Sequence, residues 1–350
     1  MSDILIINDI LNAAAERKAT DVHLVAGNSP VIRVDGRLIT LVDQPVLTGE
    51  VLAGLAESFL SKEKFDKLSQ EKEVVTIYNW ADRSRYRAKV FYQKGFLAIS
   101  LRLIAAFIRA PKDLGVPSAI LQLLNREKGL IIITGPFGSG RTSTAVSLIE
   151  TLNQNKGIHI QTLEKPIEYL FSNNQSVIEQ RSVGTDVNTF VDGLKNMLDE
   201  DVDAVFVDCS HEAGVEEVIL ELVESGKLLI FIMDADSVIS ALDRFISNIT
   251  ASKKDWGRGV LADTLLGAMA QRLLARVGGG LTMASEVLLN NPAVRSSIKD
   301  DKLNQLNSIM QTSREEGMAS LDKALLELVR VGEISIEDAR NQAVDSHSFK

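Results

Sequence analysis

The chain has one cysteine, Cys209, in 350 residues. Within one copy that excludes a disulfide framework and a cysteine-built zinc site, and it fits a cytosolic compartment. The four histidines, His23, His159, His211 and His347, show no pair at metal-ligand spacing. Proline is scarce, and two of the 7 residues, Pro111 and Pro117, fall in one short stretch. No apolar run approaches the roughly 20 residues that cross a bilayer. The strongest runs, LIIIT and LLIFIM, suit buried strands. MSDILIINDI has no basic leader and no long apolar core, so no signal peptide and no direct membrane insertion are expected. A positive balance is missing too: the net charge is −9, which argues against nucleic acid as the main partner.

What is present is an ordinary globular composition, 45% hydrophobic and 24% charged, on a chain long enough for two cored domains. Residues 1–104 read as a small α+β domain. ILNAAAERKA looks helical, and DVHLVAGNSPVIRVDGRLITL reads as strands with turns at Gly27-Asn28 and Asp35-Gly36. LTGEVLAGLAESFLSKEKFDKLSQ reads as helix, with Thr48 as its cap, and SRYRAKVFYQKGFLAISLRLI returns to strands around Lys94-Gly95. Residues 105–117 read as a linker. Residues 118–350 begin with the strands LIIIT, IHIQTL, AVFVD and LLIFIM, which alternate with helices such as VEEVILELVESG. Short, fully apolar strands in that alternation predict a parallel sheet covered on both faces. From about residue 260 the pattern reads as mostly helical, in LADTLLGAMAQRLL, NPAVRSSIKDDKLNQLNSIMQ and ASLDKALLELVRVG.

The segment GPFGSGRTST, Gly135 to Thr144, follows a strand and opens a helix. That is the context of the phosphate-binding loop G-x-x-x-x-G-K-[ST]. Gly135, Gly138 and Gly140 let backbone N–H groups converge on an anion, the helix start adds positive potential, and Ser139, Thr142 and Ser143 offer hydroxyls. Thr142 is the residue expected to meet magnesium. Arg141 stands where lysine belongs. A planar guanidinium is not equivalent to a compact ammonium in a close-fitting loop, so hydrolysis should suffer more than binding.

The motifs ATDVHL, IRVDGRL, RYRAKVFYQ, GPFGSGRTST, HIQTLEKPIE, EQRSVGTD, ESGKLLIF and NPAVRSSIKDDK fall in one order along nearly the whole chain. In that order the chain resembles the PilT-type retraction motors of type IV pili, within the type II/IV secretion ATPases. The resemblance implies a RecA-like P-loop domain with a helical C-terminal part behind a smaller, PAS-like N-terminal domain. It implies ATP as ligand and a hexamer, homomeric or mixed with other PilT-like subunits. It also implies a platform protein at the inner membrane as partner. Arg85, Arg87 and Arg102 match basic positions that reach a nucleotide from the N-terminal domain of such motors.

Four boxes depart from that pattern. Besides Arg141, Lys165 in LEKPIE replaces an aspartate, although Glu164 and Glu168 match. AVFVDCS places Asp208 and Cys209 where Gly-Glu is expected. Lys227 and Asp234 replace two histidines. Asp208 and Cys209 alternate along a strand, so only one of them faces the loop. Glu164 and Asp208 remain the candidate catalytic acids, and Lys165 has Asp208, Glu164 or Asp234 as candidate partners. Two readings follow: a cytoplasmic, non-catalytic subunit holding ATP weakly with doubtful magnesium, or a slow motor using Asp208, Glu164 and Thr142. In the C-terminal segment Ala293, Val294, Arg295 and Ile298 fit the retraction motors, whereas Ser296 and Ser297 depart.

Overall fold

The computed structural model describes residues 3–80, 84–209 and 211–349. The chain divides into two compact units, Met1–Phe107 and Ile108–Lys350.

The first unit contains α1 (Asp3–Glu16), β1 (Asp21–Val25), β2 (Val31–Val34), β3 (Arg37–Thr40), α2 (Gly49–Phe59), α3 (Lys62–Glu71), β4 (Glu73–Trp80), β5 (Ser84–Gln93) and β6 (Phe96–Ile104). Its six strands run in the order β3-β2-β1-β6-β5-β4, with antiparallel neighbours. The turns lie where the sequence marks them: Asp35-Gly36 and Lys94-Gly95 both adopt positive φ. The stretch read as one helix is two. Ser61 takes extended backbone, and its hydroxyl accepts from Lys64 N at 3.4 Å, so it caps α3 and ends the run begun at Thr48. Leu52, Leu55 and Ala56 of α2 pack with Tyr86, Ala88 and Val90 of β5 in the core of this unit.

The second unit contains α4 (Pro111–Leu114), α5 (Ser118–Leu123), β7 (Gly129–Thr134), α6 (Arg141–Asn155), β8 (His159–Glu164), β9 (Val177–Ser182), α7 (Phe190–Asn196), β10 (Ala204–Asp208), α8 (Val215–Glu224), β11 (Leu228–Ile232), α9 (Val238–Asn248), α10 (Lys254–Thr264), β12 (Leu265–Ala275), β13 (Leu281–Leu289), α11 (Pro292–Lys299), α12 (Leu306–Thr312), α13 (Leu321–Arg330) and α14 (Ile336–Gln342). The seven-stranded sheet has the order β13-β12-β7-β11-β10-β8-β9. Every pairing is parallel except β12 with β13.

Apolar strands without alternation are explained by two cores. Leu130, Ile132, Val205, Val207, Leu229 and Phe231 face a cluster built with α8, α9 and α10. Ile131, Ile133, Ala204, Phe206, Ile230 and Ile232 face the opposite cluster, which includes Val146, Leu148 and Leu152 of α6.

One expectation fails in this unit. LADTLLGAMAQRLL is not a helix: α10 ends at Thr264, and the chain continues as β12, which pairs parallel with β7. The run is rich in helix formers, but burial on both faces suits a central strand equally, and periodicity does not separate the two. Gly278, Gly279 and Gly280, all at positive φ, turn the chain into β13. β9 gave little signal, because VIEQRS is a largely polar edge strand with intermediate burial.

Phe245 of α9 is fully buried and meets Phe231 of β11 edge-on, with ring centroids 6.0 Å apart. Phe245→Ala is expected to cost about 3–5 kcal/mol, read as a lower denaturation midpoint. A loss below about 1 kcal/mol would mean that the contact carries little of this core.

Candidate functional site

The loop between β7 and α6 is shaped by tight backbone contacts. Gly135 has φ +149°, and a Cβ there would stand 2.5 Å from both Gln271 O and Ser139 Oγ. Gly140 caps α6 at φ +89°, where a Cβ would lie 3.2 Å from Leu273 Cδ1 and 3.3 Å from Gln271 Nε2. Gly138, at φ +81°, has open space around it. Gln271 of β12 is buried and donates from Nε2 to Ser139 O at 2.6 Å. No side chain caps the first turn of the 15-residue α6, so its N–H groups keep their capacity for an anion. Ser139 is buried, and its hydroxyl has no hydrogen-bond partner. An uncapped helix start and an orphaned hydroxyl fit a phosphate.

The other polar side chains at the mouth of α6 have internal partners. Arg141, only 12% exposed, donates from Nη1 to Met233 O at 2.7 Å and forms an ion pair with Asp234. Thr142 Oγ1 donates to Asp208 Oδ2 at 3.2 Å. Ser143 Oγ lies 3.1 Å from the Tyr169 hydroxyl. Asp208 therefore faces the loop, whereas Cys209 is buried in the core and burial pushes its thiol up to about 12.

Glu164, at the end of β8, is 1% exposed. Thr162 Oγ1 donates to it at 2.7 Å and Gln180 Nε2 at 3.3 Å. Burial raises its carboxyl to about 7, and Asp208 and Glu168 add to the rise against the two hydrogen bonds. For magnesium the site thus offers one hydroxyl and one carboxylate, hard oxygen donors of the right kind. The second acid, Glu164, is partly protonated near pH 7.

Lys165 is exposed and has no ion pair among the described residues, so none of its expected partners is engaged. The two altered histidine positions separate. Asp234 lies just past the end of β11, beside the loop. Lys227 lies before its start, buried, donating to Glu200 O and Val202 O at 3.1 Å each. In the first unit, Arg85 and Arg87 alternate with the buried residues of β5. Arg85 Nε donates to Asn79 Oδ1 at 3.3 Å, Arg87 pairs in register with Arg102, and Arg102 Nε binds Asp21 Oδ1 at 2.9 Å.

His23 lies 3.2 Å from Ser100 Oγ, and burial lowers its pKa. His159 Nδ1 meets Asp201 O at 2.6 Å, and its Nε2 lies 3.4 Å from Glu179 Oε2. An open cleft of about 500 Å³ lies at the opposite ends of the strands, lined by His159, Gln161, Glu179, Arg181, Glu200 and Asp201. It is no part of the loop site. No cluster of three metal-ligating side chains occurs among the described residues.

Residues 112–280 match the family model described as Type II/IV secretion system protein. The chain is 29% identical to the type IV pilus retraction ATPase PilT of Pseudomonas aeruginosa over 98% of its own length and 99% of the relative's. It is 27% identical to the type IV pilus ATPase PilU of the same organism, covering 97% of this chain and 89% of the relative. A crystal structure of the pilus retraction motor PilT with bound ADP superposes with a TM-score of 0.83 at 36% identity, covering 97% of each chain. The chain belongs to the PilT-like family.

Within that family frame, the loop's arginine has a cause that the sequence pattern obscured. Arg141 and Asp234 are 93 positions apart, and nothing in either local motif ties them. Gln271 was missed because its segment read as helix, and Tyr169 because a tyrosine beyond a Pro-Ile-Glu box has no generic signal. Among the described residues no helix is long and apolar enough to cross a membrane.

The Glu164 carboxyl sets a pH dependence. Its native value, about 7, lies above the ordinary 4.5. Between those values the native state keeps a proton that the unfolded state releases, so stability falls as pH rises and the loss is complete above the native value. Wild type should lose on the order of 3 kcal/mol from this group across that interval, and Glu164→Gln should not. Denaturation midpoints of both chains at pH 5 and pH 8 test it. Parallel pH trends in the two would contradict the assignment.

Proposed function

We propose that this chain is a nucleotide-binding PilT-like subunit of pilus or secretion machinery whose ATP hydrolysis is very slow or absent. Its role is that of a non-catalytic or regulatory partner in a ring, in effect a pseudo-ATPase. The observation that carries this reading is the Arg141 side chain, turned to Met233 O and Asp234. Transition-state charge on a transferring phosphoryl group needs donors already aimed at it. A guanidinium held in an internal ion pair is aimed elsewhere. Cys209 in the core removes the acid expected at the end of β10.

Binding has separate support. Gly135, Gly138, Gly140 and Ser139 keep the loop's cradle, and the related PilT structure is described with bound ADP. In this reading the loop and the start of α6 hold the phosphates. Thr142 and Asp208 would hold magnesium, which when bound neutralises phosphate charge. Ser143, Arg85, Arg87 and Arg102 are assigned to the nucleotide as well, the three arginines being offered by a neighbouring subunit of the ring. The assembly is a hexamer, of this chain alone or mixed with an intact PilT-like subunit. It is cytoplasmic and docked on a platform protein at the inner membrane.

A second reading, a slow retraction motor, is favoured by one feature: Thr142 and Asp208 are aligned at 3.2 Å, as a magnesium pair would be. A phosphate-release assay on pure protein separates the two. The expected rate is far below the order of one per second, the lower end of ordinary enzymes. Turnover at or above that rate, abolished by Thr142→Ala, would establish the motor instead.

Assembly has its own test. Sedimentation with and without nucleotide, alone and with an intact PilT-like subunit from the same cell, should show a ring-sized species in at least one mixture. A strictly monomeric chain in all of them would exclude the ring.

A further inference from the structure

We infer that the loop takes a nucleoside diphosphate in preference to a triphosphate, because the Arg141–Asp234 pair has converted the place of the terminal phosphate from attractive to repulsive. The inference rests on the reading that this loop binds a nucleotide, and it adds which one.

The sheet order supplies the geometry. β11 lies between β7, which leads into the loop, and β10, which ends at Asp208. The chain leaving β11 therefore emerges between the ends of β7 and β10. Two contacts hold it against the loop's first residues: Thr134 Oγ1 donates to Ala235 O at 3.0 Å, and Gly135 bridges Ala235. Asp234 is the residue before that contact. Its backbone is held from the other side by Arg244 Nη1, which donates to Asp234 O at 2.7 Å.

Each half of the pair acts on a terminal phosphate. Arg141 follows Gly140 at the start of α6, the position whose cation would follow the outermost phosphate, and its charge is spent on Asp234. Asp234 brings a carboxylate to the same space. Carboxylates close to an added anionic phosphate repel it in a partly buried site. The inner phosphates escape this opposition. They depend on loop N–H groups, the uncapped start of α6 and the unpartnered Ser139 hydroxyl, none of which involves Asp234. A diphosphate keeps those contacts and omits the group that meets the Asp234 carboxylate.

The test is calorimetric binding of ADP and of the non-hydrolysable analogue AMP-PNP, with magnesium, to the full chain and to Asp234→Asn and Asp234→Ala. Asp234 is partly exposed, and the asparagine keeps its shape; melting curves confirm that each variant is folded. Wild type should bind AMP-PNP no more tightly than ADP. Both variants remove Arg141's ion-pair partner and the opposing charge, so AMP-PNP should gain about tenfold or more relative to ADP, with ADP changed by less than about threefold. Wild type favouring AMP-PNP by about tenfold, or variants that leave the ratio unmoved, would overturn the inference while leaving nucleotide binding intact. Binding of neither nucleotide to any of the three chains would remove the nucleotide reading and the inference together.

Discussion

The parallel register of β7 with β11 governs the site. Ile133 lies opposite Ile232, so both strands end at the same level and the two chains leave the sheet side by side. Whatever follows β11 is then a neighbour of whatever follows β7. A carboxylate at Asp234 and a cation at Arg141 are brought together by strand pairing that both faces of the sheet enforce through burial. Slipping the register by one residue would exchange the two cores, sending Ile131 and Ile133 to the face now held by Leu130 and Ile132. The pair is therefore as well determined as the core itself.

Much of this was legible beforehand. The loop, its strand-to-helix setting, the capping by Thr48 and the turns at Asp35-Gly36 and Lys94-Gly95 rest on local chemistry, and local chemistry is written in short segments. The alternation along Arg85, Tyr86, Arg87 and Ala88 likewise declared which face was buried. Failures came where the signal was degenerate or non-local. β12 is mostly apolar and buried, and a buried strand and a buried helix look alike in such a run. The break at Ser61 was hidden because Leu60 and Phe65 continue the apolar count across it. The choice between Asp208 and Cys209 was posed correctly by alternation, but which one faced the loop needed the packing of α8. That Lys165 is exposed, with no ion pair among the described residues, could not be read from its neighbours in sequence, since three acids were candidate partners.

The family's altered boxes also differ in physical weight. Lys227 is buried on two backbone carbonyls at the far end of β11, a structural anchor remote from the loop. Arg141 and Asp234 compensate each other. Removing either alone would leave a partly buried charge without its partner, which is costly. Paired departures of this kind keep the fold intact while the chemistry around them changes, which accounts for an undisturbed framework around an unusual loop.

The burial of Cys209 has a consequence for how the second unit opens. It is the chain's only thiol, it is 4% exposed, and it is held in the protonated form. The thiolate is the form that attacks thiol reagents, so the folded unit is doubly shielded by steric cover and by protonation. Modification must wait for the end of β10 to leave the core. The sulfur is thus a built-in clock: its labelling rate reports how often the central sheet breathes, with no added probe and no competing site elsewhere in the chain.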